Sequence, residues 1–353
     1  SCMKYVIRTK GVFNMKNILK TSIITFILMF AVACGSNDGA VSSDDTATVG
    51  TEDSITLKLA HTGSEEHQYH LASEKFKELV EEKTDGSVTI DIYSNATLGS
   101  EADVIEQVMD GSVEMTTVAP DSSYANTVSE MNVFGIPYLF RDGDHAYSTL
   151  DGEIGQELLD LAEDHHMKGL GYWEIGFRHI SNNTRKIEKP EDMNGLKIRV
   201  QPAPVWEEHM KALGANPTPV DFNELYSALD QGIVDGQENP LPTIDSMKFY
   251  EVQKYISLTA HTYNPAIVVM NKGVWESLSE EQQMAIDEAV KETTTYHREL
   301  LADKEEEILE KLKENGVTIT EPDREAFREA TSEVKDSIDE VPEALIERIE
   351  NNE

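Results

Sequence analysis

The sequence predicts an α/β protein built as two lobes, and three observations carry that expectation. Runs of alternating apolar and polar residues take turns with stretches of helical periodicity along most of the chain, which is the signature of α/β layering. The 353 residues exceed what one core usually organises, at about 100–200 residues per domain. The composition, 39% hydrophobic and 27% charged, is that of a globular protein and excludes collagenous, disulfide-scaffold and polytopic membrane classes.

The elements follow in chain order. Residues 1–33 read as an export signal, with Met15 as the true start and residues 1–14 as over-extended translation. From Met15 the chain runs Met-Lys-Asn-Ile-Leu-Lys20 and then through 13 weakly polar to apolar residues, Thr21 to Ala33. That stretch is shorter than the ~20 residues a membrane-spanning helix needs. Ala31-Val-Ala-Cys34 resembles a lipobox, so Cys34 is expected to become a lipid-bearing N-terminus; an ordinary cut near Ala33 is the alternative. Residues 34–53 are polar and without periodicity, and read as a flexible tether. From Ser54 onward there is no cysteine, which excludes disulfides, thiol catalysis and cysteine-metal sites there.

Ile55–Ala60 alternates as a strand. His67–Lys83 places Leu71, Phe76, Leu79 and Val80 at helical spacing and closes in Thr84-Asp-Gly86. Val88–Tyr93 alternates again, Glu101–Met109 is helix-like, and Met115–Val118 is a short apolar strand. Further strands are expected at Lys168–Trp173, Lys197–Val200, Ile256–Thr259 and Ala266–Asn271, with helices at Val205–Leu213 and Asn223–Gln231. From Ser279 to about Glu314 the pattern is one long helix rich in Glu, Lys and Ala, long enough to brace both lobes.

Charge excludes one class of partner. Lys and Arg number 30 against 66 Asp and Glu, a net charge of −36. Loss of residues 1–33, which carry five basic and no acidic residues, takes this to −41. Such a surface repels a phosphate backbone, so nucleic-acid partners are not expected.

The search for catalytic signatures is negative. There is no Gly-x-Ser-x-Gly elbow, phosphate-binding Gly-x-x-x-x-Gly-Lys-Ser/Thr or His-Glu-x-x-His. Gly169-Leu-Gly171 opens a Gly-x-Gly, but Glu174 stands where a dinucleotide fingerprint needs its third glycine. Pairs of carboxylates are too abundant to single out a glycosidase. His61, His67 and His70 form the one cluster with metal-ligand chemistry, His67 and His70 being spaced to share a helix face. A secreted metal-binding lipoprotein or metal-dependent hydrolase using those three is therefore the alternative function.

Arginine is scarce and so its placement is informative: Arg141, Arg178, Arg185 and Arg199 are the only ones between the signal and Arg298. In Lys197-Ile-Arg-Val-Gln201 the alternation sends Ile198 and Val200 to one side and Lys197, Arg199 and Gln201 to the other, which points Arg199 toward solvent or a cleft. Arg178 follows Gly171-Tyr-Trp-Glu-Ile-Gly-Phe177, a stretch suited to crossing between lobes. A planar guanidinium suits bidentate binding of a carboxylate, and in so negative a protein an anionic ligand needs a local cation. Asp221-Phe-Asn-Glu224 reads as a capping box that leaves Phe222 at a helix entry, as a hydrophobic plug or a pocket wall. Asn239, extended before Pro240, offers a donor and an acceptor.

These residues stand in recognisable company: Gly176-Phe-Arg-His179, Gly195-Leu-Lys-Ile-Arg-Val-Gln201, Leu213-Gly-Ala-Asn-Pro-Thr-Pro219, Val234-Asp-Gly-Gln-Glu-Asn-Pro240 and Lys248-Phe-Tyr-Glu-Val-Gln-Lys254. With Glu82-Lys-Thr-Asp-Gly86, Leu98-Gly99 and Phe134-Gly-Ile-Pro-Tyr-Leu-Phe140, the sequence from about Ile55 onward resembles the DctP-type solute-binding subunits of TRAP transporters. The resemblance implies a periplasmic-binding-protein-like fold with mixed sheets and a long helix across both lobes. It places one lobe at residues 54–176 and 265–303 and the other at 177–264 and 304–353. It implies a receptor without catalysis or cofactor, which the lipobox-like residues before Cys34 are expected to hold at the outer face of the cell membrane. Such a receptor captures an organic acid, a C4-dicarboxylate or a sugar acid such as a uronate, and passes it to a membrane permease. By position, Arg199 resembles the main carboxylate-clamping arginine, Arg178 a second cationic contact, Asn239 the amide completing the clamp, and Phe222 a wall. His61, Glu101 and Trp173 fall where ligand-selecting residues occur. Ala119, where sialic-acid binders present a glutamate, argues against sialic acid.

Overall fold

A computed structural model describes residues 54–352; the expectations for the signal, Cys34 and the tether fall on residues outside this range. The strands are β1 (Ile55–Ala60), β2 (Val88–Tyr93), β3 (Met115–Val118), β4 (Met167–Asn182), β5 (Lys197–Val200), β6 (Asn216–Pro219), β7 (Gly236–Pro240), β8 (Tyr255–Ser257), β9 (Tyr263–Asn271) and β10 (Thr318–Thr320). In one lobe the order is β2-β1-β3-β9-β4, with β1 parallel to β2 and β3, and β9 antiparallel to β3 and β4. In the other it is β4-β7-β5-β6, and β8 joins β4 to β10.

The strand β4 belongs to both lobes. It pairs with β9 as far as Phe177, and from Arg178 to Asn182 it pairs with β7, with β8 on Ile180 to Asn182. The register slips between Glu174 and Gly176, and Gly176 sits at φ +110°, a conformation that a residue with a Cβ rarely adopts. The transfer between sheets is therefore made where the chain has a glycine to bend on. The expected strand Lys168–Trp173 is only the first part of this element. Phe177-Arg-His-Ile-Ser-Asn182 is extended because β7 and β8 supply its hydrogen bonds, which no local pattern announces.

Three cores flank the sheets. On one face of the first lobe the helices Gln68–Lys83 and Glu280–Ala302 bury Phe76, Leu79, Ile286 and Val290 against Leu57, Ile90 and Trp173. A second core runs continuously from Val104, Phe134 and Tyr172 of the first lobe to Ile198, Val205 and Trp206 of the other. The third, on the outer face of the second lobe, gathers Leu225, Leu229, Ile244, Phe249, Ile308 and Leu312.

Two local expectations are corrected. The single helix from Ser279 to Glu314 is broken at Asp303-Lys304 into Glu280–Ala302 and Glu305–Glu314. The first segment stays on the first lobe, and the second turns to place Ile308 and Leu312 in the core of the other, with Lys311 Nζ 2.7 Å from Asp245. Neither glycine nor proline marks the break, so tertiary docking makes it. The capping box at Asp221 does not form: Phe222–Glu224 is a 3-10 turn and the Asp221 side chain makes no cap hydrogen bond. No helix among the described residues is long and apolar enough to cross a membrane.

Candidate functional site

The two lobes meet over a small cavity lined by Arg178, Asn239, Gln201, Phe222 and Thr243 from the second lobe and by His67, Tyr69, Glu101 and Ile175 from the first. Strand ends and helix starts aim these side chains there. Glu101 opens the helix Glu101–Asp110, capped by Ser100 in a reciprocal capping box with Asp103. His67 is the N-cap of Gln68–Lys83, its Nδ1 accepting the Tyr69 N–H at 3.1 Å. Arg178 lies directly opposite Pro240 in the β4–β7 ladder, so Asn239 and Arg178 arrive together.

Arg178 and Arg199 are each 1% exposed, yet they are held differently. Arg178 donates from Nε to Glu238 Oε2 at 2.5 Å and from Nη2 to Glu238 Oε1 at 2.9 Å, a bidentate pair, and Nη2 also reaches Asn239 Oδ1 at 3.1 Å. The guanidinium carbon lies 5.1 Å from the centre of the Trp206 ring. Burial works against both charges of the pair. The proximity of each to the other outweighs it, holding Arg178 above its ordinary value and Glu238 down at about 2, with His261 Nε2 at 3.2 Å helping.

Arg199 has no such partner. Its Nε donates to the Val220 carbonyl at 2.7 Å, and its Nη1 is buried without a hydrogen bond. No carboxylate lies within 4.0 Å of it among the described residues; Glu238, Glu101 and Asp221 act on it only at longer range. Burial pulls it down to about 10, so it stays protonated at neutral pH. A buried guanidinium with an unpaired N–H is costly unless a counter-anion meets it.

Glu101 accepts from Ser122 Oγ at 2.6 Å, and burial raises its carboxyl above the ordinary range. Asp121, missed in the sequence, takes hydrogen bonds from Asn264 Nδ2 at 2.6 Å and Gln201 Nε2 at 3.4 Å, and burial lifts it to about 7. Phe222 meets the His67 ring edge-on, with centroids 5.7 Å apart, and packs on Phe249. Phe222 is thus a wall of the cavity and a lid on the third core at once.

Arg199, His61 and Trp173 do not line this cavity. His61 is buried with Nε2 3.2 Å from His70 Nδ1, and burial with the neighbouring His70 pushes it down to about 3. Trp173 packs on Phe76 in the core beneath, its indole N–H without a partner. The histidine cluster does not converge as the metal reading requires. His67 spends Nδ1 on its cap and turns Nε2 to Thr243, while His61 pairs with His70. No group of three metal-ligating side chains exists among the described residues.

The cavity holds only about 10 Å³, room for roughly one water. Hydrogen bonds across the lobes accompany this closeness: Gln68 Nε2 to Thr243 Oγ1 at 2.7 Å, Asn126 Nδ2 to the Pro202 carbonyl at 2.7 Å, and Trp206 Nε1 to the Asp121 carbonyl at 2.9 Å. The conformation is closed, and a molecule of several carbon atoms enters only if the lobes part.

Glu238, Tyr69 and Thr243 went unnoticed in the sequence, and Gln201 was placed beside Arg199 without being read as a site residue. Glu238 adjoins Asn239, but among 66 acidic residues nothing local distinguishes one that a buried arginine will claim. Gln201 was within reach, since the alternation that points Arg199 away from the core points Gln201 the same way.

A two-lobed α/β fold with one strand shared between lobes, closed over a cavity lined by the buried Arg178, defines a solute-binding protein. The chain belongs to the bacterial extracellular solute-binding proteins of family 7, the DctP family, whose model matches residues 59–340. It is 37% identical over 291 residues to the 2,3-diketo-L-gulonate-binding periplasmic protein YiaO of Escherichia coli, covering 82% of this chain and 88% of the relative. Among solved structures, the TRAP periplasmic solute-binding protein of Polaromonas bound to D-erythronate superposes with a TM-score of 0.82 at 35% identity, over 85% of this chain and 99% of the other. That of Sulfurospirillum deleyianum with bound succinate gives a TM-score of 0.81 at 32% identity, over 86% and 100%.

Proposed function

We propose that this protein is the non-catalytic extracytoplasmic receptor of a TRAP transporter, capturing an organic acid between its lobes and handing it to a membrane permease. One observation carries the reading: Arg199 is a buried cation whose Nη1 has no partner and which has no carboxylate within 4.0 Å. The ligand carboxylate meets Arg199, and Arg178 and Asn239 complete the clamp; the bodies that close are residues 54–176 with 265–303 and 177–264 with 304–353. Binding favours the closed state because only there do both lobes touch the anion.

The relatives bind dicarboxylates as well as sugar acids, and the charge balance here favours the second. Glu238 already neutralises Arg178, which leaves one uncompensated cation for one carboxylate. The lining groups Glu101, Tyr69, Gln201 and Asn239 suit hydroxyls. Calorimetry with D-erythronate, galactonate, D-galacturonate, D-glucuronate and succinate is expected to show a hydroxylated monocarboxylate binding most tightly. Succinate binding tightest would refute the preference, and binding of none would refute the receptor reading.

The receptor is held at the outer face of the membrane by a lipid on Cys34, the reading favoured by the small residues before it. Mass spectrometry of protein extracted from membranes should find an N-terminal peptide beginning at a diacylglyceryl-modified Cys34. An unmodified N-terminus near that point would replace the anchor by ordinary cleavage.

A further inference from the structure

Thr243 begins its role as a contact between lobes. It lies on the short helix Leu241–Ser246 of the second lobe, is 1% exposed, and lines the cavity beside Asn239. Its Oγ1 has two partners among the described residues, both from the first lobe: Gln68 Nε2 at 2.7 Å and His67 Nε2 at 3.4 Å. The tautomer of His67 is settled by its cap. Because Nδ1 accepts the Tyr69 N–H, and because burial keeps the ring neutral, the proton of this imidazole sits on Nε2. Both partners of Oγ1 are therefore donors.

A hydroxyl has two lone pairs to accept with and one O–H to donate. With both acceptances taken by the first lobe, the O–H of Thr243 is left over, and a buried donor without an acceptor is costly. The surface left for it to face is the cavity. We propose that Thr243 is a ligand-binding residue that donates its hydroxyl proton to an oxygen of the bound acid, and that Gln68 and His67 help to orient it as the lobes close. Thr243 so couples recognition to closure: with the lobes apart its hydroxyl is hydrated and free to rotate, and with the lobes together it is oriented by the two donors.

This rests on the cavity being the organic-acid site, and the test separates the two. Binding of the five acids named above is measured by calorimetry for the wild-type protein, Thr243→Val, Thr243→Ser, Gln68→Ala and the double variant Gln68→Ala/Thr243→Val, with thermal unfolding of each without ligand to show that it folds. Thr243→Val should weaken binding about 10-fold or more, the scale of a hydrogen bond to a charged group, while Thr243→Ser stays within a few-fold of wild type. The loss from Thr243→Val should persist in the Gln68→Ala background, because the contact is with the ligand and not only with Gln68. A loss that vanishes in that background, or one shared by Thr243→Ser, overturns the proposal by making Thr243 a latch or a packing residue. Wild-type binding with no effect of Thr243→Val overturns it alone. Failure of the wild type to bind any of the acids overturns it together with the receptor reading.

Discussion

At the scale of single residues, two arginines of equal burial have opposite dependencies. Arg178 is part of the folded protein's own charge balance, whereas Arg199 has no carboxylate within 4.0 Å among the described residues. Arg199→Ala is expected to cost about 2–5 kcal/mol of ligand affinity, the scale for truncating one side of a buried charge pair, with little change in the unfolding of the free protein. Glu238→Ala should instead cost about 3–5 kcal/mol of folding stability, because it strands the Arg178 charge in the interior. Denaturant titration and calorimetry on the two variants check both, and equal behaviour of the pair would contradict the distinction. The alternation of a four-residue strand set Arg199 on the face opposite Ile198 and Val200, but it did not announce that the guanidinium would be buried. Nor was the neutralisation of Arg178 legible, since Glu238 lies sixty positions away on another strand.

At the scale of elements, β4 is the decisive one. Its passage from one sheet to the other uses Gly176 at φ +110°, where an added Cβ meets nothing nearer than 3.7 Å. The cost of Gly176→Ala is therefore one of backbone conformation and not of collision, about 1–3 kcal/mol, to be read from denaturant unfolding. An unchanged midpoint would show that β4 bends without the glycine. Glycine and aromatic residues before Arg178 made a crossing segment legible, but its length was not, because a strand's end depends on which neighbours pair with it. The same holds for the helix broken at Asp303-Lys304. Its periodicity continues through the break, and only the docking of Ile308 and Leu312 into the second lobe separates the two segments.

At the scale of the whole molecule, the buried histidines govern the response to acid. Burial holds His61, His179 and His297 at about 3, and His67, His209 and His261 below the ordinary 6.5. These groups stay neutral in the folded protein while the unfolded chain takes up protons near 6.5. Their contribution is present above that pH and is lost as the pH falls toward 3. Glu101, Asp121, Glu174 and Asp287 act oppositely, since burial raises them and they favour the folded state on the acid side. Six histidines outweigh four carboxyls, so the melting temperature should fall steadily from pH 7 to pH 4.5. A level or rising profile would show that the carboxyls dominate.

The sequence by itself determined the layering and the family and singled out candidates for a clamp, because periodicity, glycine placement and motif spacing act over a few residues and survive in one dimension. Arg178, Arg199, Asn239 and Phe222 were all reachable in this way. Tertiary structure alone decided what each charge is paired with. It put Glu238 on Arg178 and left Arg199 without a carboxylate, turned His67 from a metal-ligand candidate into a helix cap, and sent Thr243 across the cleft to Gln68. Pairing in the interior is a matter of which groups meet within about 3 Å after folding, and neither composition nor spacing along the chain encodes that distance.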